Sequence, residues 1–512
     1  MLRASLFALF LALILPASAQ ETNIKPRIII TADPELDDNN SLIRLLLYSS
    51  DLKIEGLIYA SSQFHWKGDG KGTKWQVPNR EYNRFGQNLC PCESWRWAKD
   101  ERFIHDAVDA YERVYSNLKV HDPGYPSPAE LKSVIRYGNI EFDGDISKDS
   151  PGSDLIKELI MDDKPGQLFI TSWGGFSTIA RALKSIQEQY QFTKDWEALK
   201  KKIARKLVLL PSGDQDDTYA TYIKPNWPEI EYRQFTSGPN YGYGAQLRAS
   251  KEDAVFLTAS WMKANINGKG PLGSLYRVWG DGKQMVKGDK MDYFGLSGYT
   301  DDELRKKGYI VWMPVQEKGS WLGEGDNHTF MNMLGNGLRA YEAGYFGGWG
   351  GRSEKGMRDI NFSMTDTSAQ AMVNALSQGT APSSSNYPNF FPAAQADFAA
   401  RMKWSTTSRY KSANHAPDVK VVGPLVLTAT PGQRFQLIAT ATDPDGDKLF
   451  FKWWHFPMPE FTDWVSVNDA GTGQAEIEIP KTAKPGMQLH FIAEAVDPGG
   501  LVRYQRVIVF VK

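Results

Sequence analysis

The stretch Ile28-Ile29-Ile30-Thr31-Ala32-Asp33-Pro34-Glu35-Leu36-Asp37-Asp38 constrains the fold of this chain more than any other. Three consecutive isoleucines offer no polar face, so a strand there must be covered on both sides, as in a parallel sheet. The run ends in three aspartates within six positions, and an apolar helical pattern follows at Leu42, Ile43, Leu45, Leu46 and Leu47. A strand that hands over to a helix in this way puts the carboxylates at its carboxyl end, the edge where open α/β sheets bind ligands. Asp33, Asp37 and Asp38 cannot all sit close together as anions without positive compensation. Hard carboxylate oxygens favour Ca²⁺ or Mg²⁺. The same residues also read as an Asp-rich turn with a helix N-cap at Asp37 or Asp38. This stretch alone leaves both readings open.

Further along, apolar runs at 52–60, 167–171 and 207–210 read as buried strands, each stopping at a polar loop, with helical patterns over 98–118 and 179–187. Strands alternating with helices predict an α/β domain with a mostly parallel, doubly wound sheet. Residues 64–96, rich in Gly, Asn, Lys and Trp without a period, form a long loop of the kind that carries or covers a site. Glu324-Gly325-Asp326-Asn327-His328 is a second charged knot, ahead of a predicted helix over 329–338. A Gly- and aromatic-rich loop spans 345–352, residues 383–386 read as a turn or linker, and a helix over 393–404 is expected to pack back on the first domain. From about Asn414 the alternation changes to period two, with turns at Pro431-Gly432, Asp443-Pro444-Asp445-Gly446-Asp447 and Pro498-Gly499-Gly500. Short strands at this spacing fit an all-β immunoglobulin-like sandwich. The expected division is therefore 24–413 for the α/β domain and 414–512 for the sandwich.

Residues 1–19 have the zones of a secretory signal peptide, with Arg3, an apolar run from Leu6 to Leu15 and Ala17-Ser18-Ala19 at the cleavage point. This predicts a secreted or periplasmic protein of bacterial type. A formal charge of −1 argues against nucleic-acid and polybasic membrane partners. Aromatic residues make up 12% of the chain, a usage that suits stacking on sugar rings as well as a core. Cys90 and Cys92, separated by Pro91, read as structural or incidental, since cysteines so close rarely pair and two alone make a poor zinc site.

The motif Asp33-Pro34-x-x-Asp37-Asp38 after an apolar strand resembles the amino-terminal signature of the nucleoside hydrolases, which bind Ca²⁺ and cleave a ribofuranosidic bond. Gly174-Gly175-Phe176-Ser177-Thr178-Ile179-Ala180 resembles that family's Gly-Pro-Leu-Thr-Asn segment in length and setting, and Asp326 stands where the family has its late calcium aspartate. More closely, the Trp173-Gly174-Gly175 turn, the Gln215-Asp216-Asp217 loop, Gly325-Asp326 and the C-terminal β-domain resemble a secreted nucleoside-hydrolase-like family described as cellulose-binding. The likeness runs from about Pro26 to the end of the chain.

This resemblance implies a calcium shell of Asp33, Asp38, Asp326 and the backbone carbonyl of Trp173. Asp33 would also be the catalytic general base, acting on a metal-held water, and Asp37 would bind a sugar hydroxyl. Gln63 matches the family's sugar-contacting amide. Three departures matter, the first being Gly325, which stands where some of those enzymes carry a histidine acid for the leaving base. Thr31 stands where those enzymes usually carry a further aspartate, and Gln215-Asp216-Asp217 replaces the segment that recognises the base. A replacement acid is sought among His65, His328, Asp216 and Asp217, against the plainer readings of a surface histidine, a histidine on the buried side of a helix start and ordinary loop carboxylates. Trp349 and Arg352 line either a sugar subsite or a packed corner. Asp443, Asp445 and Asp447 read as a tight turn in preference to a Ca²⁺ site, Trp453 as core, and Trp454 as outward-facing. The expectation is a Ca²⁺-dependent glycosidase acting on a carbohydrate or glycoconjugate, with a non-catalytic carbohydrate (cellulose) binder as the rival and a true nucleoside hydrolase third. A homo-oligomer is compatible with the sequence.

Overall fold

The structure is a computed structural model. It describes residues 25–512 apart from 85, 236–237, 354–386, 462, 464 and 470, so the leader over 1–19 and the linker over 383–386 lie outside the described residues. The isoleucine run forms β1 (Arg27–Ala32), buried along its whole length. Ile28 and Ile30 pack into one apolar cluster and Ile29 into another, so the run fills both faces of the sheet.

Around β1 lie β2 (Lys53–Tyr59), β3 (Ile135–Tyr137), β4 (Leu168–Ser172), β5 (Leu207–Pro211) and β6 (Glu231–Tyr232). The six strands form one sheet in the order β3-β2-β1-β4-β5-β6, and every pairing is parallel. α1 (Leu36–Leu47) and α2 (Phe103–His121) cover one face; α3 (Pro128–Ser133) leads into β3 at the sheet edge. On the other face lie α4 (Pro151–Met161), α5 (Ser177–Tyr190) and α6 (Trp196–Lys206). The strand order reverses between β1 and β4, and that switch point opens a crevice at the carboxyl ends of the strands.

Two local expectations need correction. The helix expected over 329–338 is one short turn, Asn327–Phe330, followed by a 3-10 turn at Met331–Met333. Gly335 and Gly337 are weak helix formers, and Gly337 adopts a φ of 91° so close to the Tyr504 carbonyl that no side chain fits. Cys90 and Cys92 are joined by a disulfide, their Cα atoms 4.6 Å apart, a spacing a disulfide accepts despite the single intervening residue.

The C-terminal part is a pair of four-stranded sheets. One has the order β10 (Phe450–Phe456), β13 (Gln488–Val496), β14 (Val502–Val511), β8 (Val426–Ala429); the other has β11 (Val467–Asp469), β12 (Gln474–Glu478), β9 (Arg434–Thr442), β7 (Asp418–Val421). Trp453 is core, as its alternation predicts. Trp454 faces out of the sandwich but packs on Phe456 and Phe390, with its Nε1 donating to Glu494 at 2.8 Å. Asp443 Oδ1 accepts the N–H groups of Asp445 and Asp447, the geometry of a tight turn. Phe456, Ile492 and Tyr504 share one apolar cluster with Leu334, Leu338 and Phe398, so the sandwich and the sheet domain have a common core at their junction. The last helix, Phe391–Ser405, packs against α1 and α2 as expected. Among the described residues no helix is long and apolar enough to cross a membrane.

Candidate functional site

Asp33 follows β1 directly and is fully buried at the switch point. The Ser62 hydroxyl, just beyond β2, donates to its Oδ2. The Asp33 N–H donates to Asp38 Oδ1 at 3.1 Å, which ties the first turn of α1 back onto the strand end. Asp37 Oδ2 accepts the Gly325 N–H at 3.2 Å, and the Tyr243 hydroxyl donates to the same carboxylate. Ser212, at the end of β5, donates to Asp326 Oδ1 at 2.6 Å. The N-cap of α1 is Glu35, which makes no side-chain cap, so the capping reading of Asp37 and Asp38 is replaced: both lie inside the first turn.

Glycines set how closely these pieces approach. A Cβ at Gly174 would press on the Asp33 carboxyl, one at Gly325 would collide with Asp37 Oδ2, and one at Gly175 with Asp216 Oδ2. The Trp-Gly-Gly turn and the Gly-Asp pair are thus the parts of the backbone that wrap the carboxylates.

The electrostatics are those of crowded, buried anions. Burial, with repulsion from Asp37, pushes Asp33 up to about 7, and burial pushes Asp37 up to about 6. Asp38 and Asp326 are driven well above the usual carboxylate range by burial first, then by their aspartate neighbours. Asp33 Oδ1, Asp37 Oδ1 and Asp326 Oδ2 are buried and have no hydrogen-bond partner. Leaving such oxygens bare is costly, and a divalent cation with hard oxygen ligands is the group that would satisfy them.

The other sequence-derived residues divide clearly. The Trp173 carbonyl accepts the Gln215 amide at 2.6 Å, which leaves its second lone pair. Gln63 is buried beside the site, donating to the Gln215 carbonyl at 3.3 Å and accepting from Arg84 at 2.7 Å. Asp216 is held on both oxygens, by Thr218 and by the Ser177 N–H that opens α5. Asp217 pairs with Arg80 at 2.6 Å. Both ring nitrogens of His328 face backbone carbonyls, those of Gly325 and Pro211. Trp349 is core, not a sugar platform: it is 1% exposed and packs edge-on against Tyr504. Arg352 donates to the Pro457 carbonyl, so the 345–352 loop is a packed corner. His65, weighed above as a surface histidine, is fully buried. Thr31 turns to the Thr171 carbonyl.

Sequence reading missed Glu35, which lies within 4.8 Å of Asp37 and Asp38 as one group and of Asp33 and His65 as another. Its signal was its position between the aspartates. Ser62 and Ser212 were also missed, though each lies within three residues of a strand's carboxyl end.

A family profile described as "Cellulose-binding Sde182, nucleoside hydrolase-like domain" matches residues 27–353, and one described as "Cellulose-binding protein Sde0182, C-terminal domain" matches residues 434–511. Among solved structures, a nucleoside hydrolase-related hypothetical protein from Saccharophagus degradans, described as associated with carbohydrate metabolism, aligns at 24% identity over 95% of this chain and 100% of its own, with a TM-score of 0.66. That likeness bears on the fold. A chimeric titin Z1Z2 aligns at 15% identity over 20% of this chain and 97% of its own, and its TM-score of 0.14 carries nothing. No curated protein matches the chain.

Proposed function

Because the chain belongs to the cellulose-binding Sde182 family with its nucleoside hydrolase-like domain, we propose that the crevice between β1 and β4 binds a carbohydrate or glycoconjugate and hydrolyses a glycosidic bond in it. The observation that carries this reading is the set of three buried carboxylate oxygens, on Asp33, Asp37 and Asp326, that the protein itself leaves unpartnered. They fit a hard divalent ion, and Ca²⁺ is the one proposed, held by Asp33, Asp38, Asp326 and the Trp173 carbonyl. When bound, the ion would supply a water of lowered pKa at the sugar.

The chain's own residues do the rest. Asp33, fixed through Oδ2 by Ser62, keeps Oδ1 to take a proton from the attacking water. Asp37, fixed through Oδ2 by Gly325, keeps Oδ1 for a sugar hydroxyl. The anionic wall they form stabilises the positive charge that builds on the sugar ring as the bond breaks. The leader over 1–19, export, and the division into 24–413 and 414–512 belong to the same proposal.

A second reading, a carbohydrate binder without catalysis, is favoured by one observation. The acids weighed for the leaving group are engaged within the protein: Asp216 is held on both oxygens, Asp217 pairs with Arg80, both His328 nitrogens face carbonyls, and His65 directs its Nδ1 proton to the Arg96 carbonyl. A hydrolysis screen over glycans and nucleosides, with and without chelator, separates the two. Chelator-sensitive turnover abolished by Asp33→Asn supports the enzyme. Cellulose retention without turnover of any substrate supports the binder.

A further inference from the structure

We infer that the chain carries a second cation position beside the proposed hydrolytic site, formed by Asp33, Glu35 and the imidazole of His65 and suited to a transition metal such as Zn²⁺. One oxygen from each carboxylate and a ring nitrogen of His65 lie within 4.8 Å of one another. His65 is fully buried, and its Nδ1 lies 2.7 Å from the Arg96 carbonyl. A carbonyl only accepts, so Nδ1 carries the proton and Nε2 is left with a bare lone pair. Among the described residues Nε2 has no hydrogen-bond partner.

The arrangement therefore sets a buried imidazole lone pair beside two carboxyl groups. Turning the tautomer over would let Nε2 donate to a carboxylate, but it would then press the Nδ1 lone pair against the Arg96 oxygen. The Arg96 guanidinium makes its ion pairs with Glu81 at 3.1 Å and Asp289 at 2.8 Å, and reaches Glu35 only through space. A metal ion answers all three groups at once. A backbone carbonyl that fixes the far nitrogen of a ligating histidine is the usual support for such a ligand. The imidazole moves the preference from Ca²⁺ towards Zn²⁺, and three protein donors leave a position open for water or substrate. The inference rests on the proposed hydrolytic reading only in sharing Asp33; Glu35 and His65 have no part in that reading.

The test uses the full chain, stripped by chelator and titrated calorimetrically with Zn²⁺ in the presence of saturating Ca²⁺. The wild type is expected to take one equivalent of Zn²⁺. His65→Asn, whose amide can still donate to the Arg96 carbonyl, is expected to weaken that binding by about a hundredfold or more. Glu35→Gln, at a half-buried position that tolerates the change, is expected to weaken it less. Ca²⁺ binding should persist in both variants, which also reports that they are folded. Cu²⁺ loaded into the wild type should show nitrogen hyperfine coupling that His65→Asn removes. Zn²⁺ affinity unchanged in both variants, or a wild type that binds Ca²⁺ but no Zn²⁺, overturns the inference. Failure of the hydrolytic reading is distinguishable: Asp38→Asn and Asp326→Asn would then leave Ca²⁺ binding unaltered while the Zn²⁺ result stands.

Discussion

Two groups of buried carboxylates stand at opposite ends of α1, and the chain treats them in opposite ways. Asp397 lies where the last helix meets the sandwich. Arg401 donates to one of its oxygens at 3.0 Å and Arg503 to the other at 2.7 Å. Burial works against its charge, yet Arg503 and Arg401 together hold it down at about 2. The aspartates after β1 are as deeply buried, but among the described residues no guanidinium or ammonium pairs with them, and they are pushed up. Arg44, nearly two helix turns further along α1, could have served; it is spent on Glu324 at 2.6 Å. Where burial of charge is structural, the sequence supplies the counter-charge. At the switch point it withholds it, and that difference marks the site more sharply than the number of aspartates does.

The comparison can be broken in several places. The largest expected effect is on turnover: Asp33→Asn should lower it by about a thousandfold, within the range for loss of a general base, with chelator-treated wild type as the reference. Next is stability at the junction. Asp397→Asn leaves Arg401 and Arg503 without their shared anion and should cost about 3–5 kcal/mol in urea unfolding, whereas Asp37→Asn in the ion-free protein should cost little or even stabilise.

The pH dependence should separate the two groups by sign. Asp397 is held below its unfolded value, so its contribution is present above about pH 4 and is lost as pH falls towards 2. Asp33 and Asp37 are raised, so in the ion-free protein the folded state keeps protons that the unfolded chain has released. Stability should then fall as pH climbs from about 4 to 7, and added Ca²⁺ should abolish that fall. Melting curves at about pH 2.5, 5 and 7.5, with and without Ca²⁺, check both signs. The smallest effect is steric: Gly325→Ala, which displaces Asp37 Oδ2, should weaken ion or sugar binding with a stability cost of about 1–3 kcal/mol.

Much of this was legible in the residues. The isoleucine run announced a strand covered on both faces, and the strand-to-loop transitions placed Asp33, Trp173 and Gln215 at one sheet edge. Period-two alternation located the sandwich and the inward face of Trp453. What could not be read were facts of tertiary choice. His65 looks like any loop histidine until the 64–96 loop folds over it and supplies the Arg96 carbonyl. Trp349 and Trp454 have the composition of a sugar platform, yet the junction core covers the first and partly covers the second. β3 and β6, with three and two residues, are too short for any periodicity to show. The shift of Gly337 out of helix depends on Tyr504, more than 160 residues away in the chain.

The shared core at the junction has a mechanical consequence. Arg506, buried within β14, donates to the carbonyls of Phe346 and Gly347 at 2.8 Å each, and the apolar cluster closes around it. An accessory domain on a flexible tether would let an enzyme graze along a polymer while searching for a bond. Here the two parts are welded, so the sandwich stands at one fixed angle and one fixed reach from the crevice.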